Sequence, residues 1–463
     1  MAVHLRAEHD LPALRIRLAG AGRARPARVG FQAVRGLKAP IAAVTCTAAE
    51  LGLPSTLAPT DQLPDEGFRL PDTVVHALRP ALDALGPAAG PPQNAVWLEV
   101  ANPRGYLHLA PWERMLAPLD RPVLRLPHHV LRAQPPSDTL EIAICAGSPP
   151  AGHATFLTTA DLLEQLTGLW IRHSGHHVRI HLFTDLACHA EVAGWATCMS
   201  PYLVVHDPHD AVRFMGPRGA SLTADPGELV NPWLRWIRDA LQHRALDVIH
   251  IVSDGYLTAG RGAMAIAGTP LLGPDRAPST FVGSAQLCTL LAQVGAWCLV
   301  VSGAPGNPSG AGLRELADAV AAARPGLVIV DEHDRDRDGG QLAATVDMVV
   351  GGGPAVTGAM PGVVCWAHPR FVDSPGSPAL LLTEDRRSTL IGGATQNSLV
   401  GDSTPAWVAS GTRYLEAQQS AWMPDSPDAA EVDPDAAAAL KSVSSLLERH
   451  VRRHLDSEPG GAT

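Results

Sequence analysis

The feature that most constrains this chain is an alternation, from residue 139 onward, of short apolar runs with segments of helical spacing. The clearest run is Asp247-Val248-Ile249-His250-Ile251-Val252-Ser253-Asp254-Gly255, rich in Val and Ile and closed by a polar cluster and a glycine. Such a run reads as a buried strand. Residues 140–146, 297–303 and 326–330 form further runs of this kind, 177–184 alternates as a strand does, and 202–205 reads as another strand. Between them, residues 159–172 place Leu162, Leu163, Leu166 and Leu169 on one helical face, with Thr158 or Thr159 as N-cap. Residues 226–243, 284–294 and 310–323 also read as helices. Repeated strand–helix units with apolar strands imply an α/β fold, a mainly parallel sheet sandwiched by helices. Open sheets of this class put their chemistry beyond the carboxyl ends of strands, here at Asp254-Gly255 and at Ser302-Gly303-Ala304-Pro305-Gly306.

The flanks depart from that pattern. With 463 residues the chain should hold two or three domains. Residues 1–136 read as an N-terminal β-rich, mixed subdomain, with a hairpin expected over 94–109 that turns at Asn102-Pro103-Arg104-Gly105. A linker at 133–138 then leads into the α/β core, residues 137–350. Residues 351–423, rich in Gly, Pro and Ser, form a C-terminal extension. Its expected strands are 363–367 and 379–382, followed by a helix from Pro405, capped by Ser403 or Thr404. Residues 424–463 comprise an acidic linker, an amphipathic helix bearing Leu440, Val443, Leu447, Val451 and Leu455, and a disordered tail. The apolar stripe of that helix must pack on something: its own core, a protein partner, or a second copy in a homo-oligomer.

Charge and composition narrow the function classes. A net charge of −10 argues against nonspecific nucleic-acid binding, which needs a concentrated basic face. Only Lys38 and Lys441 are lysines, so nearly all positive charge is arginine, a bias that GC-rich codons explain simply. Seven cysteines without a CxxC pair point to free buried thiols in a reducing cytoplasm. The charged N-terminus lacks a secretory h-region, and no apolar run reaches the ~18–20 residues that span a bilayer. A cytoplasmic protein without membrane contact is therefore expected. The glycine clusters Gly351-Gly352-Gly353 and Gly392-Gly393 lack the Lys-Ser/Thr of a phosphate loop, so no nucleotide cofactor is expected. Cys188-His189 and His206-Asp207-Pro208-His209-Asp210 lack a second half at ligand spacing, so they read as surface loops and no metal is expected.

Three stretches carry a resemblance. Ala110-Pro111-Trp112-Glu113-Arg114-Met115-Leu116 is similar to a Leu-Pro-Trp-Glu-x-Leu signature found upstream in CHAT proteins, peptidases of the caspase and separase clan. The residues themselves predict a Pro-initiated helical turn with a packed Trp. The other two stretches are the paired strand ends. There the family carries a catalytic His-Gly on the first strand and Ser-Ala-Cys before a glycine on the second. The matching positions here are Asp254-Gly255 and Ser302-Gly303-Ala304. The run Asp331 to Asp338 resembles the family's strand-end segment leading to an Asp, which falls at Asp336, beside the substrate cleft; on composition it also reads as a solvated mixed-charge loop. The resemblance implies a caspase-like fold with Gly255, Gly303, Gly306 and Asp336 around a binding cleft. It also implies a setting in bacterial conflict or stress-response assemblies.

The chemistry at those positions is missing. A cysteine peptidase needs a thiolate nucleophile and an imidazole to lower its pKa and shuttle the proton. Ala304 carries a methyl group, and the Asp254 carboxylate cannot donate to a leaving amine. His250 lies four residues before Asp254, ~13 Å away along the strand, too far to take its role. Ser302 shares the parity of Ala304 but sits ~6–7 Å deeper, leaving it as a replacement nucleophile or a buried hydroxyl bonded to backbone. The expectation is a CHAT-like pseudopeptidase that binds a peptide or protein. The rival is an active hydrolase with a relocated Ser or Cys nucleophile. Asp254 itself is expected to face solvent or to be held by an arginine, Arg261 being one candidate, or by backbone N–H groups.

Overall fold

The computed structural model describes residues 5–6, 9–19, 28–53, 67–88, 92–101, 104–127, 139–147, 158–197, 201–214, 228–241, 244–258, 260–271, 279–304, 310–353 and 358–369. The expected linker, the strand at 379–382, the helix from Pro405, the helix at 436–455 and Gly306 lie outside the described residues.

The N-terminal part supplies β1 (Pro12–Ala19), β2 (Arg28–Arg35), β3 (Ala42–Thr47), α1 (Asp72–Leu85), β4 (Val96–Val100), α2 (Trp112–Met115) and β5 (Val123–Arg125). The alternating units follow as β6 (Thr139–Ala146), α3 (Thr159–His173), β7 (His177–Thr184), α4 (Leu186–Ala196), β8 (Leu203–Val205) and α5 (Pro232–Ala240). Next come β9 (Val248–Thr258), β10 (Arg261–Ala267), β11 (Ser279–Gly283), α6 (Ser284–Val294) and β12 (Cys298–Gly303). The described chain closes with α7 (Ala311–Ala323), β13 (Leu327–Asp331), α8 (Gly340–Val349) and β14 (Val363–Trp366).

One mixed, mostly parallel sheet runs through all of it in the order β3-β2-β1-β4-β5-β14-β13-β12-β9-β6-β7-β8, with β10 and β11 paired off β9. From β6 the chain moves outward through β7 to β8, then returns to the other side of β6 as β9 and continues to β12 and β13. The α3 and α8 faces, with Leu163, Leu166, Trp170 and Val346, pack on Ile142, Ile144, Leu182, Val300 and Ile329. On the other face, Trp233 and Trp236 of α5, Leu287 of α6 and Leu316 of α7 cover Cys145, Phe183, Ile249, Ile251, Leu299 and Val301. A third apolar cluster lies under α1, where Val74, Leu78 and Leu82 meet Leu14, Ile16, Phe31 and Trp112.

Local chemistry fixes the element ends. The Thr158 hydroxyl accepts the Asp161 N–H at 3.1 Å while the Asp161 carboxylate accepts the Thr158 N–H at 3.3 Å, a reciprocal cap that starts α3. Helix α5 begins at Pro232, later than the 226 expected, because the Asn231 side chain caps it by accepting the Trp233 N–H at 2.9 Å. The Trp112 turn forms behind Pro111 as its sequence predicts, with the indole wholly buried.

Four expectations change. The hairpin over 94–109 does not form: β4 pairs parallel with both β1 and β5, and residues 107–109 make a single 3₁₀ turn. Glu99 of β4 is buried between Arg6 at 3.0 Å and Arg15 at 3.2 Å. The strand through Asp254 runs on to Thr258, past the end expected, while the fold-back into β10 comes at the glycine-rich stretch 259–262 as its sequence predicts. Cys188-His189 is not a loop but the first turn of α4. Strand β14 comes from the stretch read as extension, yet it lies inside the sheet, antiparallel to β13 and bridged to β5.

Candidate functional site

The paired strand ends meet where expected. Strands β9 and β12 are parallel with Ser253 opposite Gly303, and the Ala304 N–H donates to the Ser253 carbonyl at 3.3 Å. Asp254 and Ala304 therefore each follow directly on this last pair at the carboxyl edge. Beyond Ser253, β9 leaves the parallel sheet and pairs with β10, setting Asp254 opposite Ala265. The carboxylate is 5% exposed, so the solvent-facing expectation fails, while Arg261 lies at the far end of the hairpin, opposite Thr258. Burial, and then the nearby Asp254 charge, hold the Tyr256 phenol above its usual pKa.

Glycines let helix α7 settle on this hairpin. A Cβ on Gly255 would lie 2.5 Å from Cγ of Leu313 and 2.8 Å from its amide nitrogen. A Cβ on Gly312 would lie 2.5 Å from the Tyr256 backbone nitrogen and carbonyl carbon. Gly255 and Gly312 are thus packing glycines that bring backbone to backbone. Gly303 is different, since the nearest atom to its added Cβ is 3.7 Å away.

Deeper on the α3 and α8 side, four side chains form one buried chain. The Trp170 indole donates to Nδ1 of His250 at 3.1 Å. With Nδ1 an acceptor, the neutral ring carries its proton on Nε2 and donates it to the Ser302 Oγ, 2.8 Å away. The Ser302 hydroxyl in turn donates to Oδ2 of Asp331 at 2.9 Å. His250 and Ser302 are 0% exposed and Asp331 is 1% exposed. The order is the reverse of a catalytic triad, in which the carboxylate orients the histidine and the histidine takes the serine proton. Burial depresses the His250 pKa to about 3. Burial, then the Asp336 charge, raises the Asp331 carboxyl to about 8. Its Oδ1 has no hydrogen-bond partner among the described residues, so little offsets the desolvation that disfavours the charged form.

Asp336 is buried and caps α8: its carboxylate accepts the N–H of Gln341 at 2.9 Å and of Leu342 at 2.7 Å. Desolvation, the largest influence, still raises its pKa against those two bonds. The solvated-loop reading of 331–338 therefore fails for Asp331, His333 and Asp336, all buried. Sequence reasoning missed Trp170 and the tie between Ser302 and Asp331. Strand parity puts 250 and 302 on one face, but only the register, Val300 opposite His250 and Asp331 opposite Ser302, brings these groups together.

Among the described residues no group of three or more His, Cys, Asp or Glu side chains is arranged to hold a metal ion. No described helix is long and apolar enough to cross a membrane. The chain defines an α/β protein with a large, mostly parallel mixed sheet and paired strand ends at its carboxyl edge. It matches no family model, no curated protein and no solved structure.

Proposed function

We propose that this chain is a caspase-like pseudopeptidase, similar to CHAT proteins, that holds a peptide or protein partner at the β9–β12 edge without cleaving it. The observation that carries the reading is that Asp254 and Ala304 each directly follow the last paired residues of two parallel strands, Ser253 and Gly303, a dyad frame with a carboxylate and a methyl group in place of imidazole and thiol. Neither adjoining hydroxyl replaces them: Ser253 is buried and donates to the Ala265 carbonyl at 2.6 Å. Ser302 is sealed from solvent, its proton is committed to Asp331, and the His250 nitrogen facing it is a donor. The role that remains is a cytoplasmic scaffold or sensor in a conflict or stress-response assembly, as the resemblance implies.

Purified wild type should leave a defined peptide library uncut and resist thiol-directed peptidase probes at this edge. The paired change Asp254→His with Ala304→Cys should bring probe labelling to position 304. Peptide hydrolysis by wild type that disappears in Ser302→Ala, or in one Cys→Ala variant, overturns the reading in favour of an active hydrolase.

A further inference from the structure

A second set of titratable groups lies on the opposite face of the sheet, under α5, at the β7–β8 end. Nε2 of His181 is 3.0 Å from Oε2 of Glu141, and Nδ1 of His181 is 3.0 Å from Nε2 of His206. A carboxylate only accepts, so His181 carries its proton on Nε2 and accepts at Nδ1. His206 must then donate from Nε2, which leaves its Nδ1 as a bare lone pair. Among the described residues nothing takes up that nitrogen, and the ring is only part-buried, so the lone pair opens to solvent. The ring is held in place by stacking on Phe183, with centroids 4.4 Å apart and planes within 5°. Its backbone N–H continues the strand pairing onto the Leu182 carbonyl at 3.0 Å. His206 thus stands at a carboxyl strand edge, where such sheets place their ligands.

We propose that Glu141, His181 and His206 form a proton relay that makes His206 Nδ1 a nucleophile toward activated acyl groups such as esters. Nδ1 attacks the acyl carbon, the carbon–oxygen bond to the alcohol breaks, and the alkoxide leaves. The acyl-imidazolium is neutralised as its Nε2 proton passes to His181 Nδ1 while the His181 Nε2 proton passes to Glu141. Water then attacks the acyl carbon, the imidazole leaves, the protons return along the relay, and the net change is ester plus water to acid plus alcohol. The relay resembles the carboxylate–imidazole pair of acyl-transfer enzymes with a second imidazole as the attacking group. Burial, and then the neighbouring His181, hold the His206 pKa at about 4, so the lone pair is available at neutral pH. The titratable and charged groups around the relay are Glu141, Arg179 and Arg244, with Arg179 bonded to Glu141 at 2.9 Å.

The probe is p-nitrophenyl acetate hydrolysis by the full chain. Wild type should turn it over at a rate flat from about pH 5.5 to 8, whereas an ordinary surface histidine would lose half its rate near pH 6.5. His206→Gln should lower that rate by about tenfold or more, and Glu141→Gln by several-fold, with far-ultraviolet circular dichroism unchanged in both. Ser302→Ala and His209→Ala should match wild type. Full activity in His206→Gln, or a rate that titrates near pH 6.5, overturns the nucleophile. Full activity in Glu141→Gln overturns the relay. Nitrogen NMR adds a reading independent of turnover: His206 protonated on Nδ1 rather than Nε2 at neutral pH also overturns it.

Discussion

At the scale of single residues, the molecule turns two ionisable groups into neutral hydrogen-bonding parts. His250 and Asp331 are about 3 and about 8 in their folded pKa values, against roughly 6.5 and 3.9 in an unfolded chain. The His250 shift is downward, so its stability contribution is present above pH ~6.5 and lost as pH falls toward 3. The Asp331 shift is upward, so its contribution is present below pH ~4 and lost as pH rises toward 8. The two slopes cancel between about pH 4 and 6.5, and the Asp331 loss dominates from there to pH 8. Urea unfolding should show wild type losing up to about 1.4 kcal/mol per pH unit in that upper window relative to Asp331→Asn. A parallel pH dependence in the two proteins would contradict a neutral Asp331. Ser302→Ala removes the acceptor of His250 and the donor of Asp331 together, and should cost about 1–3 kcal/mol. An unchanged urea midpoint for that variant would show that the buried chain contributes nothing.

At the scale of elements, α7 and the β9–β10 hairpin are pressed together by absent side chains. Gly312→Ala places a methyl group 2.5 Å from the Tyr256 backbone, which cannot rotate aside. The helix must shift, and we expect a loss of about 1–3 kcal/mol in thermal or urea unfolding. Gly303→Ala meets nothing closer than 3.7 Å and should change stability by less than about 0.5 kcal/mol. Equal effects from the two alanines would mean that the close approach of helix and hairpin is not what the glycines serve.

At the scale of the whole molecule, arginines, two of them buried, fasten the N-terminal strands to the α/β core. Arg125 grips Glu113 with two bonds of 2.8 Å each, and its guanidinium lies 4.9 Å from the Trp366 ring centroid. Arg104 reaches Asp318 of α7 at 2.5 Å. Arg314, wholly buried on α7, donates to the Leu109 carbonyl at 2.8 Å and pairs with Glu332. Arg314→Met leaves the Glu332 carboxylate with Arg335, at 3.2 Å, as a remaining partner and the buried Leu109 carbonyl short of a donor, at a cost of about 3 kcal/mol. Since β14 joins the two halves of one sheet, unfolding of the described region should remain a single transition in that variant, followed by tryptophan fluorescence and circular dichroism together. Two separated transitions would show that the N-terminal strands and the core fold independently.

The sequence by itself determined the α/β class and most elements of the core. Strand β7 and helix α6 fall on the residues expected, because an alternating strand and a one-sided helix differ in period whatever surrounds them. It also determined that neither a thiol nor an imidazole occupies Ala304 and Asp254, which is a matter of residue identity alone. What only the tertiary structure decided are the partnerships across strands. Nothing local pairs Glu99, but Arg6 and Arg15 arrive from elsewhere in the chain to hold it buried. Asp331 reads as part of a charged loop until the register with β12 sets it beside Ser302. Glu141, His181 and His206 come from three different strand segments, 40 and 25 residues apart, and no local pattern links them. Periodicity reports which side of an element is buried, but which buried polar group meets which depends on strand order and register, set by the packing of the whole sheet.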